Sequence, residues 1–314
     1  MTDAGGSQPA RTIFLGSGQF AVPVVAALAR HPQVRLLGVV TAPSDTPVHE
    51  WATMHEVTSY RPERLRDEKS IEAVLRGRPD LLVLADYGQI VPPALLEIPR
   101  HGALNLHPSL LPRHRGASPI PATILGGDRE TGVSLIKMDA GLDTGPIVAQ
   151  RRVAVDASDT AMSLEARLAI AAAELLDEAL APWFAGEITP APQPEDGMTM
   201  TRTLRREDGR LDPTLGIVHL DRQLRAYQPW PGTFIETPTG RIIVWEARPL
   251  EAGAMRHAGT LVGLPGNRIA LAASDGMLEL IEVQPAGGRR MTGAELLRGR
   301  PTLAGSEIIS PSGG

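Results

Sequence analysis

The stretch RTIFLGSGQFAVPVVAALAR, residues 11–30, decides the fold class of the chain. Its first six residues form a short apolar run typical of a buried strand, and apolar residues then recur at helical spacing from residue 20 onward. VRLLGVV (34–40) and DLLVLAD (80–86) are two further strand-like runs, with helix-like segments between them. Alternating strands and helices are typical of an open parallel sheet that is covered on both faces. We therefore predict a doubly wound, Rossmann-like α/β domain.

The sequence continues this pattern as far as about residue 184. GALNL (102–106) is a further strand, whereas TGVSLIKMD (131–139) and PIVAQRRVAV (146–155) alternate more strongly and predict an antiparallel addition to the sheet. A long helix is predicted from Thr160 to Phe184. These elements belong to one domain, which we assign to residues 1–189.

The remainder of the chain differs in composition and in the pattern of its apolar residues. TPAPQPEDG (189–197) is rich in Pro and Gly, and residues 190–206 are predicted to be a linker. Five short strand-like runs follow between turn residues: GTFIET, RIIVWEA, AGTLVG, NRIALAA and GMLELIEV. This pattern predicts a small β-barrel of the oligonucleotide-binding type over residues 207–314. The tail SPSGG is predicted to be disordered.

Composition excludes several functional classes. The 314 residues include no cysteine, so disulfides, thiolate nucleophiles and cysteine-ligated metals are excluded. No apolar run approaches the roughly 18 residues of a membrane span, and the first ten residues lack the apolar core of a signal peptide. Net charge is −7 over residues 1–200 and +2 over residues 201–314, which is compatible with a polyanion partner for the C-terminal part. We expect a cytoplasmic enzyme.

The turn after the first strand invites a different interpretation. Gly16-Ser17-Gly18-Gln19-Phe20-Ala21 fits the dinucleotide fingerprint G-x-G-x-x-G/A between a strand and a helix. That fingerprint requires an acidic residue at the end of the second strand, but this strand ends in Thr41, and Asp45 lies beyond it in the loop. A nicotinamide-dependent dehydrogenase is therefore disfavoured. A tight turn, or one whose backbone approaches an anion, is favoured instead.

Two polar side chains follow each other closely at the end of a strand. Asn105 and His107 are two residues apart, so they face the same side of the strand, at the carboxyl edge where open α/β sheets bind ligands. The loop MDAGLDTGPI (138–147) adds Asp139 and Asp143. An amide, an imidazole and a carboxylate suit acyl transfer, because they can stabilise an oxyanion and move protons. From the residues alone, acyl-transfer and lyase chemistry both remain open.

Other chemistries fit the same region less well. Ser109 lies close to His107, but the chain has no G-x-S-x-G nucleophile elbow. His101, His107 and His114 are not at the helical spacing of a metal site. The sequence therefore predicts neither a serine hydrolase nor a metal centre.

LNLHPSLLPRHRGASPI (104–120) followed by GGDRETGVSLIKMDAGLDTGPI (126–147) resembles the folate-dependent formyltransferases. The likeness extends to FLGSGQFAVP, ADYGQIVP, YQPWPGTF and LIEVQPAGGRRM, and is greatest to members that formylate methionine on initiator tRNA. The resemblance implies 10-formyltetrahydrofolate as one-carbon donor, initiator methionyl-tRNA as acceptor and no metal. It also implies a C-terminal barrel that holds tRNA and, in our expectation, a monomer.

The resemblance also assigns roles to residues of this sequence. The implied catalytic residues are Asn105, His107 and Asp143. The implied folate-binding residues are Tyr87, Gly88, Gln89, Ile90, Val91, Ser109, Leu110, Leu111, Pro112, Asp139, Ala140, Gly141 and Leu142, so that the pterin lies between segment 87–92 and loop 138–143. Candidate tRNA contacts are Arg113, Arg115, Arg205, Arg206, Arg210, Arg289 and Arg290.

One segment departs from the family pattern. The loop after the second strand is long and basic in the family, whereas here it reads TAPSDTPVHEW (41–51), and no Lys or Arg occurs between Arg35 and Arg61. The choice of acceptor is therefore open. A sugar-nucleotide N-formyltransferase shares the catalytic motifs and is the alternative, and a folate-binding protein without catalysis is disfavoured by the intact trio.

Overall fold

The computed structural model describes residues 8–250 and 257–309, so the predicted tail at 310–314 lies outside the described residues. The chain divides into two compact units. The first comprises residues 1–119, 129–155 and 163–201, and the second comprises residues 120–128, 156–162 and 202–314.

The part of the chain before residue 202 alternates strands and helices as predicted. Its strands are β1 (Ala10–Gly16), β2 (Val34–Val40), β3 (Ser59–Tyr60), β4 (Leu81–Ala85), β5 (Ala103–His107), β6 (Arg115–Gly116), β7 (Glu130–Lys137), β8 (Ile147–Ala154) and β9 (Met200–Thr201). Its helices are α1 (Ala21–Arg30), α2 (Pro47–Met54), α3 (Glu68–Leu75), α4 (Pro93–Glu97), α5 (Pro119–Gly126) and α6 (Ala161–Phe184).

The main sheet has the order β3-β2-β1-β4-β5-β7-β8. The strands from β3 to β5 pair in parallel, and β7 and β8 are added antiparallel. The predicted Rossmann-like core and its antiparallel extension are thus confirmed. The carboxyl ends of β1, β4 and β5 meet at one edge, where the strand order reverses and ligands bind in such sheets. The short strands β6 and β9 form a separate parallel pair beside this edge.

The glycine turn after β1 is tightly packed. A Cβ on Gly16 would lie 2.5 Å from the Ala85 carbonyl oxygen, so glycine lets β1 approach β4 closely. A Cβ on Gly18 would lie 1.8 Å from Asp86 Oδ2, and the Ser17 amide donates to the Asp86 carbonyl at 3.0 Å. An acidic side chain thus occupies the approach where a dinucleotide fingerprint would bind a pyrophosphate. The tight-turn interpretation is favoured on these contacts.

An ion pair between the half-buried Arg11 and the buried Asp80 ties β1 to the start of β4. Asp80 accepts hydrogen bonds from Arg11, through the backbone amide at 2.9 Å, Nε at 3.1 Å and Nη2 at 3.2 Å. Arg100 lies 3.3 Å from the same carboxylate. The hydrogen bonds from Arg11 hold the pKa of Asp80 below its ordinary value, although its burial opposes them.

The C-terminal unit is an antiparallel β domain, as predicted. Its elements are α7 (Ile217–Ala226), β10 (Thr233–Thr237), β11 (Gly240–Leu250), β12 (Leu261–Leu264), β13 (Arg268–Ala272), β14 (Met277–Pro285), β15 (Met291–Thr292) and α8 (Gly293–Gly299). The sheet order is β10-β11-β14-β13-β12, with β15 paired to β14. Alternate residues of these strands, among them Ile235, Ile242, Val244 and Leu280, form one apolar core.

The last described residues join the two edges of this sheet. On the β12 side, the Leu261 amide donates to Ser306 O at 2.8 Å and the Ile308 amide donates to Gly259 O at 2.9 Å. On the β10 side, the Ile309 amide donates to Glu236 O at 2.7 Å. Residues 306–309 therefore act as a closing strip that completes the barrel. Within the described ranges, no helix is both long enough and apolar enough to cross a membrane.

Candidate active site

Asn105 and His107 lie at the carboxyl end of β5, on the same face of the strand. β5 runs between β4 and β7, with Asn105 opposite Leu84 and Ile136. His107 is buried and Asn105 is half-buried. Among the residues that the structure describes, the amide of this half-buried side chain has no hydrogen-bond partner, so it is available to a substrate.

The ring of His107 has a defined orientation. Its Nε2 lies 2.9 Å from the main-chain carbonyl oxygen of His114. A carbonyl oxygen only accepts, so Nε2 carries the hydrogen of the neutral ring. Nδ1 lies 3.6 Å from Asp143 Oδ2. That distance is longer than a hydrogen bond but short enough for strong interaction between charges. Nδ1 is therefore the nitrogen that gains or loses a proton, and it does so beside a carboxylate.

Burial determines the protonation of His107. It lowers the pKa of the imidazole below its ordinary value, and the nearby His114 ring lowers this pKa further. The charge of Asp143 and the hydrogen bond to the His114 carbonyl raise it. The net effect of these groups is a lowered pKa of His107, so near pH 7 the ring is neutral, with a lone pair at Nδ1. A neutral imidazole held in this way can accept a proton.

Asp143 is fixed by its loop and by a glycine amide. Its Oδ2 accepts a hydrogen bond from the Gly116 amide at 2.8 Å. Its own φ is +54°, in the left-handed region that is rare for residues other than glycine. Within the loop, Asp139 Oδ1 accepts from the Gly141 amide at 3.0 Å and from Thr144 Oγ1 at 2.7 Å. Asp139 therefore shapes the loop that presents Asp143.

The turn after β5 is built on buried hydroxyls. Ser109 is fully buried and its Oγ donates to Arg113 O at 2.6 Å, so it is not placed as a nucleophile. Ser134 on β7 donates to Ser109 O at 2.7 Å and accepts from the Leu111 amide at 3.0 Å. Gln150 Nε2 also reaches Ser134 Oγ, at 2.7 Å. Ser109 and Leu111 thus support the turn from inside.

The two loops predicted to hold the pterin share an apolar base. Tyr87, Val91 and Met138 pack against one buried cluster that includes residues of β1 and β4. The tips are apolar and exposed, since Ile90 is 82% exposed and Leu142 is 59% exposed. Each of the two loops thus presents an apolar side chain at an exposed tip.

Polar groups of segment 87–92 divide into two kinds. Gln89 anchors the segment, because its Oε1 accepts from the Leu65 amide at 2.7 Å and its Nε2 donates to Pro62 O at 3.1 Å. The Tyr87 hydroxyl is buried with no hydrogen-bond partner in the described part of the chain, and burial raises the pKa of Tyr87 to about 12. The tyrosine is therefore neutral.

The first unit has a cleft of about 710 Å³ at the opposite end of β5. It is lined by Leu96, Gly102, Lys137, Met138 and Trp183, among others, and it includes Asp139 and Ala140 of the predicted folate-binding set. It contains none of the three predicted catalytic residues. The catalytic geometry therefore belongs to the carboxyl edge of the sheet and not to this cleft.

Part of the stretch predicted as a linker packs beside the site. Ala191 and Ile147 exchange backbone hydrogen bonds of 2.7 and 2.8 Å. Further along, Met200 pairs with Arg115 in the β6–β9 ladder. Residues 191–201, which we name the site strap, thus belong to the first unit. The contributions of His114, Gly116 and this strap were not predicted. The sequence features that could have indicated them are Gly116 and the turn residues around Pro112.

The predicted tRNA-binding arginines are spread over both units. In the first unit, Arg113 is exposed, and Arg115 is half-buried and bonded to Gln193 through Nε and Nη2. In the second, Arg205, Arg206, Arg289 and Arg290 are exposed and Arg210 is half-buried. Arg206 and Arg290 stack over Trp230 and Trp245, and Arg289 pairs with Glu295.

The family assignment agrees with this fold and site. Residues 11–180 match the formyl transferase family and residues 203–301 match the formyl transferase C-terminal domain. The chain belongs to the formyl transferase family, whose members are group-transfer enzymes.

Similarity to individual proteins shows which group of formyl transferases the chain belongs to. The methionyl-tRNA formyltransferase of Myxococcus xanthus is 39% identical over 95% of this chain and 97% of its own length. That of Halorhodospira halophila is 40% identical over 95% of this chain and 99% of its own length. At this extent and identity, the chain belongs among the methionyl-tRNA formyltransferases.

Solved structures share the fold at lower identity. HypX from Aquifex aeolicus in complex with tetrahydrofolic acid has a TM-score of 0.65 at 19% identity, over 97% of this chain and 50% of that one. A sugar N-formyltransferase from a Shewanella species has a TM-score of 0.62 at 18% identity, over 75% of this chain and 96% of that one.

Proposed function

We propose that the protein transfers the formyl group of 10-formyltetrahydrofolate to the free amine of methionine carried by initiator tRNA. The observation that carries this proposal is the unpaired Asn105 amide beside a neutral His107 that faces Asp143 at 3.6 Å. It is supported by near full-length similarity to methionyl-tRNA formyltransferases. The reaction takes place where charged tRNA is used, so we propose a cytoplasmic location.

The residues present fit a folate. The exposed side chains of Ile90 and Leu142 suit the faces of a pterin. A Cβ on Gly88 would meet nothing within 4 Å, so this part of the segment is open and its backbone groups are accessible. When bound, the folate supplies a formyl carbon on a nitrogen that can leave. Ser109 and Leu111 contribute to binding by holding the turn that faces it.

Each catalytic residue has a distinct task in this proposal. Asn105 donates its amide hydrogen to the formyl oxygen and stabilises the negative charge that develops there as the amine attacks the formyl carbon. His107 accepts the proton released by the amine at Nδ1, because Nε2 is already committed to His114. Asp143 then stabilises the imidazolium. The same proton passes to the folate nitrogen as its bond to the formyl carbon breaks.

The C-terminal unit is proposed to hold tRNA through Arg205, Arg206, Arg210, Arg289 and Arg290, while Arg113 and Arg115 border the site itself. We retain the functional division into residues 1–189, 190–206 and 207–314 and expect a monomer. Phosphate contacts by several arginines would make affinity fall steeply with salt.

A sugar-nucleotide acceptor is the second candidate, because one observation favours it. The six residues between β2 and α2 form a short turn in which Thr41 and Thr46 share a hydrogen bond of 2.7 Å. Asp45 in this turn pairs with Arg61 at 2.7 Å, so the nearest basic side chain is already engaged. This turn offers no extended basic surface to a tRNA acceptor stem.

An acceptor screen tests the proposal. Purified protein is given 10-formyltetrahydrofolate with charged initiator tRNA, charged elongator tRNA or a nucleotide-linked amino sugar, and the formylated product is quantified. We expect turnover with charged initiator tRNA. Turnover confined to the amino sugar would establish the second candidate, and a lack of turnover with every acceptor would remove both.

A further inference from the structure

Gln193 in the site strap makes a complete set of hydrogen bonds with two loops of the site. Its Nε2 donates to Asp143 O at 2.7 Å and to Gly145 O at 2.8 Å. Its Oε1 accepts from Arg115 Nε at 2.9 Å and from Arg115 Nη2 at 2.6 Å. One half-buried amide thus joins the loop that carries Asp143 to the segment that follows His114.

These two loops hold the groups that orient His107. His114 O receives the Nε2 hydrogen, and the Gly116 amide fixes Asp143 Oδ2. The strap holds the same segment at two further points, since the His114 amide donates to Thr199 Oγ1 at 2.8 Å and Thr201 Oγ1 donates to Arg115 O at 3.0 Å. The separation of His107 and Asp143 therefore depends on contacts made by the strap.

Asp143 needs such support because of its backbone. A residue other than glycine at φ +54° is strained, and such strain persists where the surroundings over-determine it. Gln193 bonds the carbonyl of this residue and the carbonyl two residues later, which defines the backbone on the C-terminal side of Asp143.

We propose that Gln193 is a positioning residue for formyl transfer, which sets the Asp143 carboxylate against Nδ1 of His107. The inference rests on the proposed function of this site. It assigns the chemistry to Asp143 and His107 and gives Gln193 no contact with the substrate. It also gives the supposed linker a part in the arrangement of the reacting groups.

The charges around His107 provide a readout that does not depend on turnover. Burial and the His114 ring lower the pKa of His107, whereas Asp143 raises it. If Asp143 moves away when Gln193 is replaced, the pKa of His107 falls further. NMR titration of the His107 ring, assigned with a His107→Asn variant, measures this directly.

The test compares Gln193→Met, which removes all of the amide contacts, with Gln193→Glu, which can still accept from Arg115. In both variants we expect kcat to fall roughly 10-fold with little change in KM, because the affected groups act on the transition state. In Gln193→Met, which adds no charge, we also expect the titration of His107 to move to lower pH. Gln223 provides a matched control, since its Nε2 bridges Asp208 O at 2.8 Å and Arg210 O at 3.1 Å in the other unit. Gln223→Met is expected to leave the His107 titration unchanged.

A double-mutant cycle separates positioning from general support. In an Asp143→Asn background, Gln193→Met should lower kcat no further, because the group that it positions is already altered. Independent, multiplicative losses would overturn the proposal, as would an unchanged His107 titration in folded Gln193→Met. If Gln193→Met does not fold, the double-mutant cycle with Gln193→Glu decides the proposal in the same way. Inactive wild-type protein would refute the proposed function, and the NMR comparison would still test Gln193.

Discussion

Gly116→Ala provides a sharp test of the geometry around Asp143. Gly116 has φ +104°, and a Cβ there would lie 2.2 Å from Thr201 O. An ordinary C···O contact is about 3.3 Å, so β6 and β9 would have to separate by about 1 Å. The amide of the same residue donates to Asp143 Oδ2. The substitution therefore disturbs the strap and the catalytic carboxylate together.

The expected loss of activity follows from that hydrogen bond. A hydrogen bond to a charged group contributes about 1.5–3 kcal/mol, and about 1.4 kcal/mol corresponds to a tenfold change in rate. We expect Gly116→Ala to lower kcat by about 10- to 100-fold. The assay is single-turnover formylation of charged initiator tRNA at saturating protein, with thermal unfolding measured in parallel.

Gly240 supplies the control, because its φ is positive like that of Gly116 but its surroundings are open. Its φ is +113°, and a Cβ there would meet nothing within 4 Å. Gly240→Ala should therefore cause only the backbone penalty of about 1–2 kcal/mol in stability and leave kcat unchanged. If Gly116→Ala kept full activity, or if both variants lost it equally, the Gly116 amide would not be what holds Asp143 in place.

Three other predictions concern catalysis, stability and acceptor choice. Asn105→Ala, His107→Ala and Asp143→Ala should each lower kcat by about 100-fold or more in a folded protein, and near-normal turnover of folded His107→Ala in the same assay would contradict the mechanism. Asp80→Asn should lower the free energy of unfolding by about 2 kcal/mol at pH 7. Because the pKa of Asp80 is lowered in the folded state, the difference in free energy of unfolding between the two proteins should shrink as pH falls through the folded pKa. Urea denaturation from pH 7 to pH 2 measures this difference, and a constant value would be inconsistent with the prediction. Finally, segment 41–51 has no Lys or Arg, so we predict weak discrimination between initiator tRNA with and without its weak first base pair; kcat/KM ratios of several hundredfold would refute this.

Apolar runs were sufficient to predict β1, β2, β4 and β5, because these strands consist mainly of apolar residues, whereas the two-residue strand β3 was not predicted. β2 was predicted with its observed bounds, and β7 and β8 were recognised as antiparallel from their alternation. The short helices α4, α5, α7 and α8 were not predicted. α4 has five residues, too few to show a helical period, and α5 begins at a proline after a turn. Segments of this length depend on tertiary packing more than on their own propensity.

Only the parts of the site that depend on reactive side chains could be predicted from the sequence. Asn105 and His107 share a strand, so their placement follows from the period of two, and Asp143 came from the family resemblance. The roles of His114 O, the Gly116 amide and Gln193 could not be predicted, because two of these groups are backbone atoms and the third lies 50 residues beyond Asp143. A composition rich in Pro and Gly indicated a linker at residues 190–206. Composition alone does not reveal that the Gln193 side chain forms four hydrogen bonds.

The closing strip at residues 306–309 has a consequence for how the protein is made. A chain is synthesised from its N-terminus, and domains generally begin to fold during synthesis. β12 is complete before residues 305–308 are synthesised, so its outer edge has no partner at that stage. β10 already has a partner, because the Leu211 amide donates to Phe234 O at 2.9 Å. Unpaired edges of this kind are templates for association with other chains. The barrel of this protein can therefore close only after residues 306–309 have been synthesised, and until then each growing copy presents the open edge of β12 to its neighbours on the polysome.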